Sequence, residues 1–74
     1  MRVLVLMEDA STYVSVLIGT RNRPELLEQC VQSILNQSYE NYEIIILDNS
    51  NQINSCDHIM NRFDDSRISC EHIN

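Results

Sequence analysis

Two short polar stretches hold the chemistry this sequence has to offer: Thr20-Arg21-Asn22-Arg23 and Asp48-Asn49. Thr20 and Asn22 supply hydrogen-bonding groups, Arg21 and Arg23 supply positive charge, and Asp48 accepts from hydroxyls or a ring N–H, with Asn49 beside it. A nucleotide carries the matching parts: a base, a diol and phosphates. Each stretch directly follows an apolar run, VSVLIG before the first and EIIIL before the second. Position alone does not decide the matter. An aspartate at a strand end also serves as a cap for the helix that follows, and arginines in a loop are often simply solvated.

The elements that would position these residues follow from the pattern. Val14 to Ile18 is a continuous aliphatic run broken only by Ser15, which predicts a strand covered on both faces, as in a parallel sheet. Gly19 is expected to end it and let the backbone turn. Pro24 suits the first position of a helix, where its missing N–H costs nothing. Leu26, Leu27, Cys30, Val31, Ile34 and Leu35 then recur at helical spacing, and the helix is expected to end near Gln37. Ser38 to Asn41 has turn chemistry, with Tyr39 and Tyr42 packing the turn against the sheet. Glu43 to Leu47 predicts a second strand. Asn49 to Asn54 predicts a loop leading to a second, weaker stripe of Ile53, Cys56, Ile59, Met60 and Phe63. Residues 67–73 predict a third strand, with Ile68, Cys70 and His72 on one face. Met1 to Met7 reads as a strand or a leader, so the division expected is 1–13 as leader, extra strand or linker and 14–74 as the body. The order strand, helix, strand, helix, strand predicts a βαβαβ half of a doubly wound parallel sheet. In such sheets ligands lie beyond the carboxyl ends of the strands, where both polar stretches stand.

Composition narrows the classes. The chain has 74 residues and a net charge of −6. One small domain of this length buries only about 60–65% of its unfolded surface and is marginal on its own. The acidic balance argues against nucleic acid as a partner. A locally basic loop at Arg21 and Arg23 on an acidic chain suits a small anion better than a polyanion. A single glycine excludes both the P-loop and the glycine-rich dinucleotide fingerprint. No apolar run approaches the ~20 residues that span a bilayer, and VLVLM followed by Glu8 and Asp9 is not a signal peptide. The three cysteines, Cys30, Cys56 and Cys70, are an odd number and read as reduced thiols of a cytoplasmic protein.

Several tempting motifs read more simply as structure. Asp64-Asp65 precedes the third strand, at the opposite pole from Asp48, and is expected to be a solvated turn rather than a metal pair. Cys56-Asp-His58 and Cys70-Glu-His72 lack the usual zinc spacing, so core thiols and surface histidines are the expectation. LVLMED followed by IIILDN resembles the acidic pair and phosphoacceptor of a receiver domain, which would make Asp48 the acceptor. The intervening elements do not fit that order. A non-catalytic module that self-associates through uncovered strand edges is a third class.

The block VSVLIGTRNRPELLEQCVQSILNQSYENYEIIILDNS, from Val14 to Ser50, resembles the N-terminal end of family-2 glycosyltransferases of the GT-A fold. Those open with a strand of the form VSVIIPTYNRPELL, a helix ending SILNQ or SLLAQ, a T/S-Y/F-x-N-F/Y-E turn and a strand ending DDGS or DNGS. The similarity continues weakly to Arg67-Ile68. The resemblance implies a nucleotide-sugar donor held by Thr20, Arg21 and Asn22 with Asp48 and Asn49, and a phosphate contact at Arg23. It also implies a glycan, polysaccharide or lipid-linked acceptor, inverting transfer, a divalent Mn or Mg ion on the donor, and association of the parent with the cytoplasmic face of a membrane. Gly19 replaces the family's Pro, Arg21 stands where Tyr is common, and Asn49-Ser50 replace an acidic residue and Gly. The metal-binding DXD and general base of the family lie further along than this sequence runs. A truncated domain, inactive alone and prone to self-association, is therefore the expectation.

Overall fold

The computed structural model describes residues 2–9, 13–51 and 55–73. Four strands form one sheet in the order β1-β2-β3-β4, with two helices between the last three. These are β1 (Arg2–Asp9), β2 (Tyr13–Thr20), α1 (Pro24–Leu35), β3 (Tyr42–Asp48), α2 (Ser55–Phe63) and β4 (Ile68–His72). β2, β3 and β4 run parallel, as the alternation of strand and helix predicts. Residues 2–9, for which the sequence left strand and leader open, form β1, antiparallel to β2 with Arg2 opposite Gly19 and Met7 opposite Val14.

The core is one layer between sheet and helices. Val16 and Ile18 of β2, Ile44 and Ile46 of β3 and Ile68 of β4 are buried against Leu27 and Val31 of α1 and Ile59 of α2. These strand residues share a face because side chains alternate along a strand and the register puts Val16 beside Ile44 and Ile44 beside Ile68. Glu28 of α1 accepts from Arg62 of α2 at 2.8 Å, which ties the two helices side by side over that face. The opposite face, with Leu17, Ile45 and Leu47, is only half-buried by the described residues. Cover on both faces is thus met on one face here.

Three local expectations shift. Gly19 does not turn the chain: it lies within β2, which runs on to Thr20, and it has no positive φ. Helix α1 stops at Leu35, with Asn36 as its C-cap, slightly before Gln37. Ile53, assigned by pattern to the second helix, lies outside the described residues. Tyr42 is buried in the core, while Tyr39 is about half exposed beside it. Arg67 stacks over the Tyr42 ring, 4.5 Å from its centroid, and closes the amino-terminal pole of the sheet.

The cysteine reading is corrected. Cys56 and Cys70 are joined in a disulfide, and only Cys30 is a free thiol. The fold sets the first turn of α2 against β4, which brings the two Cα atoms to 5.5 Å, inside the range a disulfide bridges. Spacing along the chain does not reveal such a pairing.

Candidate functional site

The carboxyl edge of the sheet gathers most of the residues the sequence singled out. Thr20 is paired in register with Asp48, and Asp48 with His72, so the ends of β2, β3 and β4 stand in a row. The Asn49 N–H donates to the Thr20 carbonyl at 2.9 Å and the Ile73 N–H to the Asp48 carbonyl at 2.8 Å, which extends the ladder to that edge. Helix α1 begins four residues after Thr20, so its unpaired N–H groups and positive dipole end lie at the same edge.

Asp48 is 1% exposed, and the protein itself holds its carboxylate. Its Oδ1 accepts from the Ser50 N–H at 2.9 Å and from the Ser50 hydroxyl. The Ser50 Oγ in turn accepts from the Asn22 N–H at 2.7 Å, and the Asn22 Oδ1 accepts from the Asn51 N–H at 2.9 Å. Asn22 takes a left-handed backbone, φ 53°, which asparagine tolerates better than most residues and which presents its side chain to the facing loop. The loops after β2 and β3 are thereby clipped together through Asp48, Ser50 and Asn22. His72 supports the clip from β4, its Nε2 lying 2.8 Å from the Ser50 carbonyl. A carbonyl oxygen only accepts, so Nε2 carries the proton.

Thr20 is 6% exposed, yet its hydroxyl has no hydrogen-bond partner among the described residues. It lines a cleft of about 360 Å³ together with Asn22, Arg23, Ser50 and Asn51, and with Leu27 and Ile59 of the two helices. A buried unpaired hydroxyl costs free energy unless something else bonds it, so its place in a cleft marks a point where a ligand would be stabilised. Arg21, Arg23 and Asn49 have exposed side chains at the same edge. The structure thus brings Thr20, Asn22, Asp48 and Asn49 into backbone-linked proximity and leaves Arg21 and Arg23 reaching into solvent beside them.

Ser50, Asn51 and His72 belong to this site although the residue types alone did not single them out. His72 had one signal, its place two residues after Cys70 on the core-facing side of the last strand. The receiver alternative loses its geometry. Asp9 stands opposite Tyr13, at the other end of the sheet from Asp48, because β1 is antiparallel. Asp64 and Asp65 lie before β4 at that same far pole, where the Asp65 carboxylate accepts from the Arg67 guanidinium. His58 is exposed and sits 3.7 Å from Glu28, away from Cys56.

One grouping of side chains could in principle hold a cation. Among the described residues, Asp48, Cys56 and Cys70 place their ligand atoms within 4.8 Å of one another. Its two sulfurs are bonded to each other, and its one carboxylate is engaged by Ser50. A hard Mn or Mg ion on a diphosphate needs an oxygen set. These residues do not fit the metal that the family resemblance implies.

Comparison with known proteins decides the family. The model of glycosyl transferase family 2 matches residues 15–73, most of the chain and all of the site. The chain belongs to glycosyl transferase family 2. Its β2-α1-β3-α2-β4 unit is the Rossmann-like opening of the GT-A sheet, with β1 added along one edge. Among relatives, it is 42% identical over 57 residues to the Escherichia coli protein WfaP, named as a UDP-Glc:alpha-D-GlcNAc-diphosphoundecaprenol beta-1,3-glucosyltransferase. It is 37% identical over 65 residues to the glycosyltransferase GlyG of Streptococcus pneumoniae serotype 4. These matches cover 77% and 84% of this chain but 22% and 21% of the relatives, so the chain spans about a fifth of their length. No solved structure matches it. No helix among the described residues is long and apolar enough to cross a membrane.

Proposed function

We propose that this chain is the donor-facing N-terminal segment of a glycosyltransferase that moves a sugar from a nucleotide donor to a glycan, polysaccharide or lipid-linked acceptor. The observation that carries it is the pairing of Thr20 and Asp48: a buried hydroxyl with no partner stands in register with a buried carboxylate at the ligand-binding edge of a parallel sheet. The Thr20 hydroxyl and Asn22 bond the base, Asp48 and Asn49 bond the ribose or base edge, and the planar guanidinium of Arg21 stacks where the family often has an aromatic ring. Arg23, beside the start of α1, meets phosphate oxygens.

In this reading the described residues bind and orient the donor, and the general base for the acceptor comes from elsewhere in the transferase. The segment alone is therefore inactive and self-associates through the apolar edge of β1, where Val3, Leu4 and Val5 are about half exposed. In the complete transferase a divalent Mn or Mg ion would neutralise the leaving diphosphate during inverting transfer, held by residues other than Asp48, Cys56 and Cys70. A relative named for a diphosphoundecaprenol-linked acceptor supports a lipid-linked acceptor here, and hence action at a membrane surface.

The test is a titration of the folded chain with UDP, dTDP and GDP, followed by amide chemical shifts. Shifts at Thr20, Asn22 and Asp48 that disappear in Asp48→Ala support the reading. The absence of any perturbation there by all three nucleotides at millimolar concentration would falsify it.

A further inference from the structure

The two bridged cysteines stand beside the buried carboxylate of β3, and three different elements bring these groups together. β4 pairs with β3 so that Cys70 is opposite Ile46 and His72 opposite Asp48. Side chains alternate along a strand, so Cys70 shares the core face with Ile46 and Asp48. Cys56 reaches the same place from the first turn of α2, which packs on β4. One carboxylate oxygen of Asp48 and the two sulfurs lie within 4.8 Å of one another. Asp48 is buried and both cysteines are half-buried.

The redox state of the sulfurs decides what this group can do. Bonded to each other they carry no charge, and the group is closed to a metal. A dithiol reductant opens the bond by exchange: it is oxidised to its own disulfide, and Cys56 and Cys70 each gain an electron and a proton. The two sulfurs are then free to separate to the ~3.8 Å required of two ligands at about 2.3 Å from a tetrahedral centre. A divalent ion that displaces the two thiol protons meets two thiolates and a carboxylate. Thiolate donors favour a borderline-soft ion, zinc, over the hard Mg or Mn that wants oxygen. The surroundings suit a ligand set. The Ser50 N–H, at 2.9 Å, and the Ser50 hydroxyl hold Asp48 Oδ1, and His72 meets the Ser50 carbonyl at 2.8 Å. Outer hydrogen bonds of this kind orient a ligating carboxylate. Cys30 is not one of the group; it lies on α1 in the groove lined by Val3, Val5 and Tyr42.

We infer that the reduced chain binds one zinc ion through Cys56, Cys70 and Asp48, with water in the fourth position. The ion joins β3, α2 and β4, and so replaces the tie that the disulfide supplies in the oxidised chain. In a domain of 74 residues, whose core alone gives marginal stability, such a tie counts in either redox state. The site is independent of what binds at the carboxyl edge, and its test needs no nucleotide.

The experiment titrates zinc and cobalt(II) into the folded 74-residue chain, oxidised, and after reduction with a dithiol that is then removed under exclusion of oxygen. The proteins are the wild type, Cys56→Ser, Cys70→Ser, Asp48→Asn and Cys30→Ser. The reduced wild type is expected to bind one equivalent, and cobalt to show thiolate charge-transfer and tetrahedral d–d absorption. The oxidised chain should show neither, and Cys30→Ser should match the wild type. Cys56→Ser and Cys70→Ser should weaken zinc by at least about a hundredfold and Asp48→Asn by at least about tenfold, since even the outer partners of metal ligands are worth about 10–100-fold. Asp48→Asn keeps an acceptor for Ser50, and amide shifts of β3 and β4 report whether each sheet is intact. Zinc should also raise the unfolding midpoint of the reduced wild type. A reduced wild type without charge-transfer absorption would overturn the site, as would an oxidised chain that binds equally well. Binding to Asp48→Asn as tight as to wild type would overturn it too, by showing a bare dithiol chelate. So would binding only by a chain whose β3 and β4 amide shifts have collapsed, because the thiols would then be meeting zinc in the unfolded state.

Discussion

Thr20 and Asp48 stand directly opposite each other at the ends of two parallel strands, and their side chains have opposite fortunes. The Asp48 carboxylate is buried and held by Ser50, while the Thr20 hydroxyl is buried with no partner among the described residues. Replacing Thr20 with Val keeps the shape of the side chain and removes the unpaired hydroxyl. It should stabilise the fold by about 1 kcal/mol, since an unsatisfied buried group carries a desolvation cost. The same change should weaken nucleotide binding. Denaturant unfolding beside a UDP titration checks both signs; a loss of stability in Thr20→Val would mean the hydroxyl is satisfied within the fold.

Ser50 is the hinge pin of the two loops. Its hydroxyl donates to Asp48 and accepts from the Asn22 N–H, and its carbonyl meets His72. Ser50→Ala removes both hydroxyl bonds and leaves the Asn22 amide without its acceptor. The expected destabilisation is about 1–2 kcal/mol. The more specific readout is hydrogen exchange: the Asn22 and Asn51 amides should exchange faster, while amides in the middle of β3 keep their protection until global unfolding limits them. Uniform acceleration throughout the sheet would show that Ser50 has no local role.

Much of this fold can be read from the sequence, and the parts that cannot share a physical cause. β2 and β3 announce themselves as aliphatic runs, and Pro24 with the stripe from Leu27 to Val31 announces α1. In β3 every other side chain is buried, yet Ile45 and Leu47 on the half-buried face are as apolar as Ile44 and Ile46 on the core face. A run without polar alternation therefore hides which face the helices take. The direction of β1 is hidden for a similar reason, since VLVL reads alike in a parallel and an antiparallel pair. The Cys56–Cys70 bond and the contact of His72 with Ser50 depend on which elements become neighbours, and only the sheet register reveals that. The Thr20–Asp48 site was legible because both residues directly follow strands whose ends a βαβ unit must bring together.

The disulfide between Cys56 and Cys70 spans a separation of 14 residues and ties the start of α2 to β4, next to Asp48. Closing a loop of about 15 residues in the unfolded chain is worth about 3 kcal/mol. Reduction, or Cys56→Ser with Cys70→Ser, should lower the unfolding free energy by about that amount. Alkylation with mass analysis supplies the companion measurement. In the oxidised chain only Cys30 is free to react, and burial raises its thiol above the ordinary range, so its modification should be slow at neutral pH and accelerate toward alkaline pH. Modification of three cysteines at equal rates in the unreduced protein would contradict the pairing.

Asp65 gives the amino-terminal pole of the sheet a defined acid dependence. Its carboxyl lies below the ordinary carboxylate range, chiefly because the Arg67 side chain hydrogen-bonds it, with the Arg67 backbone N–H and the guanidinium charge acting in the same direction. A pKa lower in the folded chain than in the unfolded one means that the unfolded state binds the proton more readily. The stabilisation is therefore fully present above the unfolded carboxylate value of about 3.9. It is lost as pH falls through the lower folded value. The pair is partly exposed to solvent, so the effect is that of a screened surface bond. Asp65→Asn should flatten the acid limb of the stability curve below about pH 4 while leaving its slope near neutrality unchanged. It should also loosen Arg67 from its place over Tyr42. Unfolding midpoints recorded at successive pH values for wild type and variant test this directly. Parallel acid limbs for the two proteins would show that other carboxylates, not Asp65, govern the acid response.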